Sequence, residues 1–145
     1  MDYYHKEKKQ IFYCQNCLHN SETFSITNIL TAPNILFFSL NRGDLNDEYN
    51  QLLKIPFLLE ENLNLSSVIK RPVSNNMNYA LTGIISLFKE GKKWVFASFC
   101  KSYDQQWYFY YAQNIQQMQL NNILEIHYNN AYYIPCILAY KLIYA

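Results

Sequence analysis

The sequence predicts a mainly β fold of the α+β class, an antiparallel sheet or meander with few short helices. The chain is rich in the aromatic residues that favour strands, with 14 Tyr and 9 Phe among 145 residues. Apolar residues rarely recur at the spacing of an amphipathic helix. Instead, runs of aromatic and β-branched residues alternate with polar, turn-forming clusters, as in a protein built from consecutive strands.

Strands are predicted wherever such a run is bounded by polar or turn-forming residues. In chain order these runs are residues 9–13, 23–28, 34–41, 51–57, 79–89, 93–101, 106–111, 123–128 and 136–144.

Residues 79–111 are predicted to form a three-stranded antiparallel meander. Glu90, Gly91, Lys92 and Lys93 have the composition of a hairpin turn between the first two strands. Residues 102–105 form the next turn, which leads into the third strand.

Helical content is predicted to be small. One turn is expected over residues 64–69, with Asn62 or Asn64 as its cap, and another over residues 114–120. Pro72 ends any helix that precedes it.

Composition argues against several classes of protein. Twelve Lys and Arg against 11 Asp and Glu give a net charge of +1, too little for a general nucleic-acid binder. Apolar runs such as residues 35–40 and 134–140 are too short to span a bilayer, and no secretion signal opens the chain. Four unevenly spaced cysteines do not make a disulfide scaffold, so we expect a reduced intracellular compartment.

The chain is predicted to be one unit, because no repeat, proline-rich linker or long charge block divides it. Residues 1–9, which carry the basic run, are expected to form a flexible tail. Residues 10–145 are expected to form the β domain.

Cys14 and Cys17 form the strongest generic motif. Two cysteines at this spacing on a tight turn can place both thiolates about 2.3 Å from one zinc ion. Tetrahedral zinc needs four ligands, no second such pair exists, and His5 and His19 would complete the site only with strain. The pattern leaves a complete zinc site, a metal half-site or relic, and a redox dithiol open.

Nucleophilic catalysis has little support in the sequence. A cysteine nucleophile needs a base within hydrogen-bonding reach, and Cys100 and Cys136 lie in predicted strands. His127, on another predicted strand, is interpreted as a partly buried histidine bonded to the backbone. No glycine-rich phosphate loop is present. From its residues alone the chain is a β-rich binding or scaffolding domain.

Six groups of residues, in order, resemble a known family. They are YCQNC (13–17), PNILFFSLNR (33–42), KIPF (54–57) with LNL (63–65), YALTGII (79–85), WY (107–108) and PCILAY (135–140). Together they resemble the C-terminal half of the ubiquitin-specific protease catalytic domain, over roughly residues 10–144. The resemblance implies a partial β domain like the palm and fingers of that family, in which the first segment is a zinc knuckle.

The chain departs from the family at the positions that carry catalysis. The family's Gly-His-Tyr box, whose histidine is the catalytic base, aligns with Trp94, Val95 and Phe96. Valine cannot accept a proton. The Asn or Asp that orients the base aligns near Ala112, and the nucleophile box has no counterpart here. The resemblance therefore implies that this chain has no catalytic residues.

Three functions follow from the resemblance. The first is a pseudoenzyme, a catalytically inactive domain that acts as a structural or interaction subunit of a larger assembly. The second is a ubiquitin-binding module that uses Phe96, Phe99 and Trp107 as an apolar platform. The third is a fragment of an active cysteine deubiquitinase that hydrolyses isopeptide bonds to ubiquitin.

The same resemblance sets the expected ligands and location. No cofactor is expected, and zinc would bind Cys14 and Cys17 only if another chain supplied the remaining ligands. Partners are expected to be proteins of a multi-subunit complex, with ubiquitin possible, in the cytoplasm or nucleus. Neither nucleic-acid binding nor membrane insertion is expected.

Overall fold

The computed structural model describes residues 8–25, 29–44, 57–67, 69–71, 77–128 and 133–143. The chain divides into two compact units, Met1–Ala32 with Asn64–Met77 and Pro33–Leu63 with Asn78–Ala145. The elements are β1 (Lys8–Cys14), β2 (His19–Ser25), β3 (Ile29–Thr31), β4 (Ile35–Ser39), β5 (Asn62–Asn64), β6 (Ile69–Arg71), β7 (Asn78–Glu90), β8 (Lys93–Lys101), β9 (Trp107–Tyr111), β10 (Asn114–Met118), α1 (Leu120–Tyr128) and β11 (Ile134–Leu142). None of the described segments contains a helix long and apolar enough to cross a membrane.

The first unit contains two small strand pairs. β1 and β2 form an antiparallel hairpin in which Cys14 lies opposite His19. β1 therefore begins within residues 1–9, the predicted tail. At the hairpin tip Leu18 has a φ of 56° and donates its backbone N–H to the Cys14 carbonyl oxygen at 2.9 Å. β3 and β6 pair in parallel.

The second unit is built on a sheet with the strand order β10-β9-β8-β7-β11-β4, and β5 also pairs with β7. The pairs along this order are antiparallel. β7 to β10 form a meander of consecutive strands, whereas β11 lies between β7 and β4. The predicted mainly β, antiparallel fold is confirmed.

The turn between β7 and β8 is the predicted hairpin turn. Glu90 lies opposite Lys93, which leaves a two-residue loop. Gly91 opens that loop with a φ of 61°, a left-handed value that glycine adopts without the strain of a Cβ atom. β8 has the bounds predicted from the sequence.

Two predictions between β9 and β11 are wrong. Residues 114–120, predicted as a helical turn, contain strand β10, which extends the sheet through backbone pairing with β9. Residues 123–128, predicted as a strand, belong to helix α1. The helix buries Ile123 and His127, which lie four residues apart and so share one helix face.

Within residues 64–69, where a helical turn was predicted, a single hydrogen-bonded turn lies between β5 and β6. The Asn64 side-chain oxygen accepts the backbone N–H of Ser66 at 3.0 Å, as a cap does. The N–H of Ile69 donates to the Leu65 carbonyl at 3.1 Å and closes the turn. The predicted strand over residues 51–57 lies outside the described residues except for its last position.

Two buried tyrosines tie distant parts of the second unit together. Tyr79 and Tyr140 are 0% and 2% exposed. The Tyr79 hydroxyl donates to the Pro33 carbonyl at 2.8 Å, and the Tyr140 hydroxyl donates to the Glu60 carbonyl at 2.7 Å. Each ring therefore joins the core with its polar atom hydrogen-bonded.

Candidate functional site

Ser86 of β7 and His127 of α1 form a buried polar pair. The Ser86 Oγ and His127 Nε2 atoms are 2.7 Å apart, and both residues are 0% exposed. His127 Nδ1 lies 2.6 Å from the carbonyl oxygen of Ile123. A carbonyl only accepts hydrogen bonds, so Nδ1 carries the proton and Nε2 accepts from the Ser86 hydroxyl.

This environment keeps His127 neutral. Burial lowers its pKa from 6.5 to about 4, and the bond to the Ile123 carbonyl opposes that shift only partly. Both ring nitrogens are engaged and shielded from solvent, so the imidazole has no position from which to take a substrate proton. The predicted histidine bonded to the backbone is confirmed, although it lies on a helix rather than on a strand and is fully buried.

Val95 and Ala112, the positions aligned with the family's base and orienting residue, lie close to the β7–β8 and β9–β10 turns. Val95 lies on β8, opposite Phe88 of β7. Ala112 directly follows β9, with a φ of 50°. Ala112 lines a shallow pocket of about 290 Å³ with Phe96 rather than with Val95, because successive side chains on β8 point to opposite faces. Among the described residues, no histidine, carboxylate or carboxamide side chain lines this pocket.

The cysteines of the second unit are poor nucleophiles. Burial raises the pKa of the Cys100 and Cys136 thiols, and the Cys136 thiol donates to the Ile134 carbonyl at 3.4 Å. The reactive form of cysteine is the thiolate, which burial disfavours. Within the described ranges no hydrogen bond joins a cysteine thiol to a histidine ring.

Cys14 and Cys17 lie at the exposed tip of the β1–β2 hairpin. The backbone N–H of Cys17 is the main cause of a lowered pKa at Cys14, followed by the Cys17 side chain and the N–H of Asn16. No group of three or more His, Cys, Asp or Glu side chains in the described part of the chain is placed to hold a metal. Two thiols supply only half of a tetrahedral zinc site, so the residues present do not fit a complete one, and the half-site stays a prediction.

One face of the sheet exposes a set of large apolar side chains, which we call the outer face. Its members are Phe37, Ile85, Phe96, Tyr110 and Ile115, which are 67%, 38%, 65%, 37% and 67% exposed. Contiguous apolar surface of this kind on a soluble protein marks interaction sites.

The strand registers bring the outer face together. Ile85 lies opposite Ser98, Ser98 opposite Tyr110, and Tyr110 opposite Ile115. Directly opposed residues point to the same side of a sheet, so these side chains form one row across four strands. Phe96 is two residues from Ser98 and therefore lies on the same side of β8.

Phe37 extends the outer face to the other end of the sheet. It lies opposite Ala139 of β11. Ala139 is two residues from Ile137, which lies opposite Ile85. Phe37 is thus on the same side of the sheet as Ile85, and the outer face reaches from β4 to β10.

The predicted platform of Phe96, Phe99 and Trp107 is wrong in the placement of two of its members. Phe96 is on the outer face, but Phe99 and Trp107 are 0% and 4% exposed. Phe99 is three residues from Phe96 and so points to the opposite side of β8. It packs there on His127, with ring centroids 4.8 Å apart. Trp107 is two residues from Phe109, the register partner of Phe99, and so lies on the buried side.

Sequence reasoning missed Phe37, Ile85, Tyr110 and Ile115 as surface residues. Strand alternation and the hairpin turns contain enough information to group Ile85 with Tyr110. They do not reveal which of the two faces is covered, because that depends on the helix after β10, which was predicted as a strand.

In the described residues, one unit contains an antiparallel sheet with a packed helix and the other contains a hairpin with a CxxC tip, which are elements expected of the ubiquitin-hydrolase class. A family model for "Ubiquitin carboxyl-terminal hydrolase" matches residues 1–144. The chain belongs to this family, and the resemblance to ubiquitin-specific proteases is confirmed. No curated protein matches it.

Solved structures share the fold at low sequence identity. A chain in the SAGA DUB module of Ubp8, Sgf11, Sus1 and Sgf73 is 18% identical with a TM-score of 0.75. A chain in the yeast SAGA DUB module with a mutant Sgf73 is 19% identical with a TM-score of 0.76. A third, in the module bound to monoubiquitin, is 18% identical with a TM-score of 0.74. Each match covers 99% of this chain and 32% of the other, so this chain spans about a third of their length.

Proposed function

We propose that this chain is a catalytically inactive member of the ubiquitin carboxyl-terminal hydrolase family that serves as a structural or interaction subunit of a larger assembly. One observation carries the proposal. The position aligned with the base is Val95, and the pocket at Ala112, the position aligned with the orienting residue, is lined by apolar, Ser and Tyr side chains.

Acyl transfer needs a nucleophile, a base in contact with it and a group that orients the base. In the second unit the described histidine is buried and doubly hydrogen-bonded, and the thiols of Cys100 and Cys136 are held in their protonated form by burial. These contacts support a scaffold role for the sheet.

Labelling with ubiquitin that carries a C-terminal vinyl sulfone tests the proposal. This electrophile traps an active thiolate that recognises ubiquitin. We expect no adduct with the purified chain under conditions in which an active family member is fully labelled. A covalent adduct that disappears in Cys100→Ser or Cys136→Ser would instead identify an active deubiquitinase, the third predicted function.

The assembly and its location are part of the same proposal. Similar folds occur in a module with several other subunits, and an outer face of exposed apolar residues suits a chain that is covered by protein partners. The net charge of +1 gives no basis for a nucleic-acid partner. We place the assembly in the nucleus or cytoplasm, with zinc bound to Cys14 and Cys17 only where another chain adds ligands.

Ubiquitin binding is a second candidate function, supported by a structural neighbour bound to monoubiquitin. In this chain the contact surface would be the outer face rather than the buried Phe99 and Trp107. Titration of isotope-labelled chain with ubiquitin is expected to shift the amide signals of Ile85, Phe96 and Tyr110. No shift at about millimolar concentration, which corresponds to a binding free energy near −4 kcal/mol, would end this candidate.

A further inference from the structure

The outer face is continuous with a positively charged pocket. Lys101 and Lys141 line one cavity of about 420 Å³ together with Ile35. Lys141 lies directly opposite Ile35 in the pairing of β11 with β4. Phe37 of the outer face is two residues from Ile35 and on the same side of the strand, so cavity and outer face adjoin.

The positive charge of this cavity has no counterpart among the residues that line it. None of them is an Asp or Glu. In the described part of the chain, neither the Lys101 nor the Lys141 ammonium group takes part in an ion pair. Lys141 lies opposite Ile35 on the outer-face side, whereas Lys101 lies opposite Trp107 at the end of β8. Lys141 is therefore the charge that the outer face offers to a carboxylate.

We propose that the outer face docks a protein partner whose contact region combines large apolar side chains with an Asp or Glu carboxylate that enters the cavity beside Lys141. This inference rests on the proposed function of the chain as an interaction subunit and adds the chemistry of its partner. The apolar contact supplies most of the affinity, whereas the carboxylate fixes the orientation and accelerates association.

The two ends of the outer face differ in charge. Phe37, Phe96 and Ile115, each about two-thirds exposed, spread the apolar area from β4 to β10. Lys141 lies at the β4 end, opposite Ile35. A partner that carries its carboxylates at one end of an apolar stretch is therefore bound in one direction.

Selection from random peptides displayed on phage tests this chemistry without a known partner. The complete chain is immobilised, and bound phage are eluted with the soluble chain. We expect enriched peptides to combine aromatic or large aliphatic residues with Asp or Glu. Enrichment of Lys- and Arg-rich peptides, or of none, would overturn the proposal.

Variants then locate the contact with the most enriched peptide, synthesised with a fluorescent label. Phe96→Ser and Lys141→Glu are each expected to weaken binding about tenfold. Replacing the peptide carboxylates by amides should abolish the difference between the wild type and Lys141→Glu. Unchanged affinity in either variant contradicts the proposal.

Matched controls separate the surface from general effects. Tyr128→Ser changes an aromatic residue of α1 that is 49% exposed, and Lys92→Glu reverses an exposed charge in the β7–β8 turn. Both should bind the peptide like the wild type, and a loss equal to that of Phe96→Ser would argue against the outer face. The electrophile experiment is independent of the peptide selection. Labelling by the electrophile would refute catalytic inactivity and leave this inference standing. A failed selection would refute this inference and leave catalytic inactivity standing.

Discussion

His127 illustrates at the residue scale how surroundings decide what an imidazole does. Its ring nitrogens bind Ser86 and the Ile123 carbonyl, and its ring packs edge-on against Phe99. A buried neutral ring with satisfied nitrogens stabilises the fold, and protonation would force Ser86 to accept rather than donate and would place a charge in the core.

Stability should therefore fall in acid. The folded pKa of His127, about 4, is below its ordinary value of 6.5, so protons bind the unfolded chain more readily. The stabilisation is complete above about pH 6.5 and is lost as the pH falls toward 4, by about 2 kcal/mol between pH 7 and pH 4.5. Urea unfolding at the two pH values measures this loss. His127→Gln should show a smaller pH dependence, and equal dependence in both proteins would contradict the assignment.

The cysteines should react in an order set by their surroundings. Backbone N–H groups lower the pKa of the Cys14 thiol at the hairpin tip, whereas burial raises the pKa of Cys100 and Cys136. Because alkylation proceeds through the thiolate, Cys14 is expected to react with iodoacetamide before those two. Peptide mass spectrometry of a time course measures the order. Modification of Cys136 before Cys14 would contradict the assignment of Cys136 to a buried environment.

At the element scale, local signals and distant contacts contributed differently to the fold. The meander from β7 to β9 was predictable because its turn residues and strand alternation lie within the segment itself. The stretch containing β10 and α1 was not predictable, because short segments fit the spacing of a strand and of a helix equally well. The elements packed against such a segment decide which of the two it forms. The Ser86–His127 contact joins residues 41 apart, and no pattern in the sequence signals it.

The β7–β8 hairpin provides a test of turn geometry. A Cβ atom added to Gly91 would meet no atom within 4 Å, but the φ of +61° remains unfavourable for any L side chain. Gly91→Ala should therefore cost about 1 kcal/mol of unfolding free energy through backbone strain alone. Gly83→Ala is the comparison, since its new methyl would make ordinary contact with Ala139 at 3.5 Å. A smaller loss for Gly91→Ala than for Gly83→Ala in chemical denaturation would refute this account.

At the scale of the whole molecule, the outer face sets how the chain behaves alone. Which side of the sheet stays exposed was beyond sequence reasoning, because it follows from where α1 packs. Phe37, Phe96 and Ile115 are each about two-thirds exposed, and apolar surface of this extent promotes association.

The isolated chain is expected to self-associate as its concentration rises. The double variant Phe96→Ser, Ile115→Ser should remain monomeric at higher concentration, with its unfolding free energy changed by no more than about 0.5 kcal/mol, as for other exposed positions. Multi-angle light scattering measures the mass of each protein. Tyr128→Ser serves as the comparison, and a wild-type chain that stays monomeric throughout would contradict the expectation.

The position of β11 has a consequence for how the chain acquires its structure. This strand is the last of the described strands in chain order, yet it lies between β7 and β4 and is the neighbour of β4 in the sheet. During synthesis, the β7–β10 meander is made before β11, which pairs with β7. About a hundred residues separate β4 from β11, its neighbour in the sheet. Closing so long a loop is entropically costly and slow, so the pairing of β4 with β11 is expected to form later than the contacts within the β7–β10 meander.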